Sequence, residues 1–394
     1  MKTTDEEARR QTLEAQLEKF GAEGDHGKCL KSLKDLAELC PNDAEIHHRL
    51  GSVEEQVGTH ERALSAHLRS ACLAPHNPLT YLYAGYCLQQ MGRLEEAVSV
   101  WSLGSDIERA FLNPPQRSDP TGLRMVAAAK ALRHHFSELH RQTLGSKDST
   151  RRVLEAIWPQ TADRPFTYQH KQQRPSLFYL PSLPAYPWHN LQNTPWVESL
   201  ETQSEAIHRE FSSAQEALLN LGRPYLGAGM NLGNQFAHLQ GSLNWTALDL
   251  YRDGELQTEV AKHFPLTLSL LHEAPLYGMD EHPFEVFFSV LKPGQHIKPH
   301  FGLSNHSLTV HMPLIIPPAC SISVNGERRS WSDGQILVFD DSFIHEAINS
   351  SQEARVVLIF SIWNPHLQAD ERLAIQRSFA VRSRWLAARR LPVC

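Results

Sequence analysis

Arg355-Val356-Val357-Leu358-Ile359-Phe360-Ser361-Ile362-Trp363 decides what kind of chain this is. Its apolar part, 356–363, is the longest such run in the sequence and is rich in β-branched residues. It is far too short to span a bilayer, and its residue types predict a strand. Working back from it, six more strands are expected at 245–251, 285–291, 307–316, 321–325, 335–340 and 345–348. Turn signals separate them: Lys292-Pro293-Gly294, Pro317-Pro318, Asn325-Gly326 and Asp333-Gly334. Many short strands joined by tight turns predict a sandwich or jelly roll closed into a barrel. Ahead of the strands stand a proline-punctuated extended segment (180–188), a long amphipathic helix at 197–221, and a glycine-rich loop.

The first third has a different texture. Pro41 and Pro75 are 34 residues apart, and the same offset links Gly24 to Gly58, Gly58 to Gly92, Gly51 to Gly85 and Ala63 to Ala97. Small residues let two helices approach closely, glycine turns the chain between them, and proline ends the second helix. The period and pattern resemble the tetratricopeptide repeat, with three units expected over 7–110 and a capping helix over 114–145. Such arrays present a concave groove that binds a peptide or protein. The polar, proline- and arginine-bearing stretch that follows predicts a boundary. The expected domains are therefore 1–147 for the repeats, 148–175 for a linker and 176–394 for the β-rich part. The fold class is α+β multidomain, helical repeats followed by a barrel.

Composition narrows the function. With 38 basic and 44 acidic residues the formal net charge is −6, which gives no support for nucleic-acid binding. The start, Met1-Lys2-Thr3-Thr4-Asp5-Glu6-Glu7, has no apolar h-region, so neither a signal peptide nor a membrane span is expected. Six cysteines without a CxxC pair make neither a disulfide scaffold nor a zinc ribbon. Cys29, Cys40, Cys72 and Cys87 fall in helical patterns, where cysteine is a small buried apolar residue. This usage points to a reducing compartment, hence the cytoplasm. The arginines of the last helical stretch, Arg372 to Arg390, read as a solvated helix face.

A lone histidine among 22 means little. His300 and His345 stand out by their company, because each sits at a strand or turn and Arg355 follows His345 by ten residues. Two imidazoles on separate strands suit iron(II), with positions left open for a chelating co-substrate and dioxygen. A downstream arginine suits the distal carboxylate of 2-oxoglutarate as a bidentate partner.

Further residues make the likeness specific. His300-Phe301-Gly302-Leu303-Ser304-Asn305, His311-Met312-Pro313-Leu314, Phe339-Asp340-Asp341-Ser342-Phe343-Ile344-His345-Glu346, and Arg355 with Ile362-Trp363-Asn364-Pro365 resemble the aspartyl/asparaginyl β-hydroxylase family over roughly 177–367. The resemblance implies a double-stranded β-helix (jelly-roll) oxygenase with cofactors Fe(II), 2-oxoglutarate and O2. It makes His300 and His345 the catalytic metal ligands and Ser289, His311 and Arg355 the co-substrate residues. The family lacks the usual carboxylate ligand, and Gly302 stands where that acid would sit. Asp340 and Asp341 are expected to orient His345 by hydrogen bonds. The chain departs from the family at the substrate: Phe287, Ser307 and Thr309 occupy positions where relatives place basic residues.

The function expected is hydroxylation of a carbon of an amino-acid residue in a peptide, protein or amino-acid-derived substrate, with the repeat groove recruiting it. The alternatives are a non-catalytic repeat scaffold with a degenerate barrel, and a hydroxylase of a lipid or small natural product.

Overall fold

The computed structural model describes residues 4–115, 118–145, 150–218, 220–228, 234–279 and 282–392. Part of the expected glycine-rich loop and of the expected linker lies outside them. The chain divides into two compact units, Met1–His140 with Val381–Cys394, and Arg141–Ala380.

The first unit is built from antiparallel helix pairs: α1 (Thr4–Glu23) with α2 (His26–Leu39), α3 (Ala44–Val57) with α4 (His60–Leu73), and α5 (Pro78–Gln90) with α6 (Leu94–Ile107). Gly24, Gly58 and Gly92, one per pair, have φ of 70°, 103° and 76°, which is why the turn between the helices of each pair needs glycine. Asp25, Asp43 and Asn77 cap α2, α3 and α5 by accepting from first-turn amides. The small residues matter where helices touch. A Cβ on Gly51 would sit 2.6 Å from the His67 ring, and one on Gly85 would collide with Trp101. A long helix, α7 (Pro120–Leu144), follows the pairs. Cys29, Cys40 and Cys87 are buried, but Cys72 is exposed on α4 and disulfide-bonded, unlike the buried apolar role expected of it.

In the second unit, α8 (Arg151–Leu154), the short strand β1 (Trp188–His189), α9 (Pro195–Thr202) and α10 (Ser204–Leu218) precede the main strands. The expected single helix at 197–221 is thus two helices, broken at Gln203. The strands are β2 (Arg223–Pro224), β3 (Trp245–Arg252), β4 (Glu255–Leu256), β5 (Glu285–Leu291), β6 (His296–His300), β7 (Ser307–Ile315), β8 (Cys320–Val324), β9 (Glu327–Arg329), β10 (Leu337–Phe339), β11 (His345–Asn349) and β12 (Arg355–Trp363). Short helices α11 (Thr258–Ala261) and α12 (Pro265–Leu271) fall between β4 and β5, and α13 (Ala369–Ala388) follows β12.

The strands form two antiparallel sheets. The larger has the order β1-β10-β7-β12-β5-β3-β2, with β4 on β3; the smaller has the order β6-β11-β8-β9. The run 355–363 is the centre of the larger sheet, paired with β5 and β7 and buried on both faces. Its outward residues Val356, Leu358, Phe360 and Ile362 pack with helix residues such as Ile207, Phe211 and Leu271. Its inward residues Val357 and Ile359 share a second core with Ile297, Ile322, Val324 and Ala347 of the smaller sheet. The site lies on that inner side.

Candidate functional site: two histidines and a buried arginine

β6 and β11 are hydrogen-bonded neighbours in a register that sets His345 opposite His300. Their ring centroids are 4.1 Å apart. Each ring is fixed by its own strand: His300 Nδ1 bonds the Lys298 carbonyl at 2.8 Å, and His345 Nδ1 bonds the Phe343 carbonyl at 2.9 Å. A carbonyl only accepts, so each Nδ1 carries the proton and each Nε2 keeps a lone pair. Burial lowers both pKa values, His345 to about 3 with help from His300, so both rings are neutral at pH 7. A neutral imidazole pair with free Nε2 lone pairs is a donor set suited to a divalent transition metal such as iron(II). The expected role of Asp340 is corrected here. It accepts from the Gln173 amide at 3.0 Å and the Ser342 amide at 2.9 Å, and backbone carbonyls orient the histidines instead.

Gly302, two residues after His300, has a physical reason to be glycine. A Cβ there would collide with the Asp341 carboxylate, and the Gly302 amide donates to the Asp341 carbonyl at 2.7 Å. No acid fits at 302 while Asp341 fills that space. Burial, reinforced by Asp340 and Glu285, pushes the Asp341 carboxyl up to about 8.

On the facing sheet, β12, β5 and β7 bring together Arg355, Ser289 and His311. Arg355 is 1% exposed, and its Nη2 donates to Ser289 Oγ at 3.5 Å. Trp245 Nε1 donates to the same oxygen at 3.0 Å. The guanidinium lies over the Trp331 ring, 5.2 Å from its centroid, and the His311 ring stacks on that indole at 5.9 Å. Phe339 bridges the two groups of residues, 5.0 Å from His311 and 5.7 Å from His345. Arg355 Nε and Nη1, His311 Nδ1 and Trp331 Nε1 are buried without partners. Burial lowers Arg355 to about 10 and His311 well below its usual value. Among the described residues no carboxylate forms an ion pair with Arg355, so it is not a structural partner of Asp340 or Asp341. An unpaired buried guanidinium costs several kcal/mol, and an anion with two oxygens would relieve that cost.

The substrate candidates sit further along the same strands. Phe287 is 2% exposed and stacks on Tyr225 at 5.1 Å, which stacks on Trp245 at 4.2 Å. Thr309 stands opposite Phe339 and Ser361 and hydrogen-bonds Asp341, and Ser307 begins β7 opposite Trp363. Sequence reasoning missed the charges around them. Asp249, opposite Phe287, holds Arg223 through two bonds of 2.6 and 3.0 Å. Glu285 is pushed up to about 7 by burial and then by Asp249. It also missed Trp331, which follows the short strand β9; only the approach of the sheets ties it to Arg355.

Residues 201–365 match the family model described as aspartyl/asparaginyl beta-hydroxylase, the family that the motif residues resemble. The human aspartyl/asparaginyl beta-hydroxylase is 24% identical over 350 residues, covering 88% of this chain and 42% of that protein. Aspartate beta-hydroxylase domain-containing protein 2 of Xenopus tropicalis is 32% identical over 213 residues, 53% of this chain and 55% of that one. The human domain-containing protein 1 is 33% identical over 214 residues, 53% and 52% of the two chains. The chain thus spans about half the length of the curated relatives it matches. Solved structures similar to it include the Yersinia enterocolitica type III secretion chaperone SycD with a translocator peptide, 21% identical, covering 32% of this chain and 92% of that one at a TM-score of 0.28. The Arabidopsis OM64 TPR domain is 15% identical, with coverage of 33% and 98% and a TM-score of 0.28. No described helix is long and apolar enough to cross a membrane.

Proposed function

We propose that the second unit is a double-stranded β-helix hydroxylase that uses iron(II) and 2-oxoglutarate and acts on a carbon of an amino-acid residue in a peptide or protein. The observation that carries this reading is Arg355, a buried cation with two unpartnered nitrogens, joined through Phe339 to a pair of neutral histidines with free Nε2 atoms. The family match over 201–365 and the hydroxylase names of the relatives support it. When bound, iron(II) with dioxygen and 2-oxoglutarate supplies the oxidising power, the co-substrate leaving as succinate and carbon dioxide.

The chain's own residues do the rest. His300 and His345 hold the metal through Nε2, each ring locked by a carbonyl so that little reorganisation is needed on binding. Arg355 pairs the distal carboxylate of 2-oxoglutarate, Ser289 adds a hydroxyl, and the neutral His311 presents a ring nitrogen without adding charge. Trp331, Trp245 and Phe339 wall the site and keep water from competing for that pair. The substrate end carries Phe287, Ser307 and Thr309 with the carboxyls of Glu285 and Asp341, and its cation, Arg223, is already committed to Asp249. Among the described residues no cation lies on the strands that carry Phe287, Ser307 and Thr309, so an uncharged side chain is the better target. The purified chain, given iron(II) and 2-oxoglutarate with peptide libraries, should form succinate and a hydroxylated product. Succinate formation that survives removal of both histidines would overturn the reading.

A further inference from the structure

The repeat unit holds a second cluster of metal-ligating side chains, unrelated to the sheets. His67 on α4 packs against Gly51 in the same way that Trp101, 34 residues on, packs against Gly85. Trp101 is a conventional core residue whose Nε1 donates to the Leu82 carbonyl at 3.1 Å. His67 is equally buried, at 0%, but its Nε2 lies 3.3 Å from Glu55 Oε1 and its Nδ1 has no partner. Cys87 Sγ, from α5, lies 3.5 Å from the same Oε1. In the neighbouring unit the places of Glu55 and Cys87 are held by Gln89 and Val53, so ligating residue types at all three positions are peculiar to this interface.

We propose that Glu55, His67 and Cys87 form a binding site for zinc(II) or a similar thiolate-accepting divalent ion. One ligand atom from each of the three lies within 4.8 Å of the other two. Zinc bonds of about 2.0–2.3 Å in tetrahedral array separate ligand atoms by roughly 3.3–3.8 Å, the spacing already present on either side of Oε1. The ion takes the place of the protons now shared with Oε1. The Cys87 thiol releases its proton to solvent, and the His67 ring proton resides on the presently unpartnered Nδ1. Thiolate and carboxylate together cancel the ion's two charges, and water completes the fourth position. Arg124, stacked on Tyr83 and Tyr86, orients the carboxylate by donating to Glu55 Oε2 at 2.5 Å and more loosely to Oε1 at 3.3 Å. The neighbouring His48 ring, 5.0 Å from that of His67, also has a buried Nδ1 without a partner.

The test uses the full chain, stripped with a chelator and titrated with cobalt(II), whose thiolate charge-transfer absorption is absent from an all-histidine site. The expected result is a thiolate band that is displaced by zinc(II), persists in the His300→Ala/His345→Ala double variant and there saturates at one ion per chain. Cys87→Ser, close to isosteric, should remove the band, and Glu55→Gln or His67→Gln should weaken cobalt binding at least tenfold. No thiolate band in the unaltered chain, or an undiminished band in Cys87→Ser, overturns the proposal.

Discussion

Glu55 in the repeat unit and Arg355 in the sheet unit are both buried charges, and their surroundings treat them in opposite ways. Glu55 accepts from Arg124, His67 and Cys87, so its carboxylate is satisfied by the chain itself, and those partners hold its pKa low against burial. Arg355 has one weak hydroxyl contact and an aromatic face, with two nitrogens left over. Removing one partner of a satisfied buried charge is strongly destabilising, whereas an unsatisfied buried charge itself subtracts from stability. The second arrangement persists only where a ligand makes up the difference, so the Glu55 carboxylate is held by the chain's own partners while the Arg355 guanidinium calls for one from outside.

The largest effect should come from the histidine pair. His300→Ala or His345→Ala should reduce succinate formation to background with the far-ultraviolet dichroism unchanged. Turnover close to that of the unaltered chain would remove the pair from the mechanism. Next comes the contrast itself. Arg355→Ala should raise the apparent KM for 2-oxoglutarate at least about tenfold, because losing the buried partner of a carboxylate costs about 2–5 kcal/mol and 1.4 kcal/mol is a decade. Arg355→Met should raise the ligand-free melting temperature, since it removes an unpaired buried charge. Glu55→Ala should do the reverse, lowering stability by about 3 kcal/mol with KM for 2-oxoglutarate unchanged. Melting shifts of the same sign in both variants would erase the distinction between the units.

Glu285 gives a smaller effect with a defined sign. Its folded pKa, raised to about 7 by burial and Asp249, lies above the ordinary glutamate value of 4.5. Between those two values the folded state binds more protons than the unfolded state, so stability falls as pH rises across that window. The loss is at most about 3 kcal/mol, from 1.36 kcal/mol per pH unit over the interval. Glu285→Gln should flatten the melting temperature between pH 5 and 7, and an unaltered slope would show that Glu285 titrates normally. The smallest contrast concerns the substrate. Of two peptides differing only in asparagine or aspartate, the asparagine form should turn over faster. A preference for aspartate would mean that a cation from elsewhere receives it, such as Lys292, Lys298, Arg328 or an Arg223 released from Asp249.

Much of this architecture was legible before any coordinates. The 34-residue spacing placed the helix pairs, since glycine is needed wherever φ turns positive, and Gly24, Gly58 and Gly92 sit there. The strands at 285–291 and 355–363 match to the residue, because β-branched runs between turn residues admit little else. Where the reading slipped, the cause was local. A single amphipathic pattern at 197–221 hid the break at Gln203, and β6 was not separated as a strand because Pro293 precedes it and Pro299 lies within it.

The candidate site divides in the same way. Residue order and type singled out His300, His345 and Arg355, and the family resemblance added Ser289 and His311, because a motif records which side chains a site needs. What lies across from each of them was decided by the tertiary structure. The register of β6 on β11 sets His300 against His345, and the approach of the two sheets lays Trp331 on Arg355. The packing of Asp341 against Gly302, the pairing of Arg223 with Asp249 and the meeting of Glu55, His67 and Cys87 likewise join segments far apart in the chain. Periodicity and turn chemistry are properties of neighbours along the chain, so one sequence displays them. Desolvation and charge pairing depend on neighbours in space, and those exist only once the chain has folded.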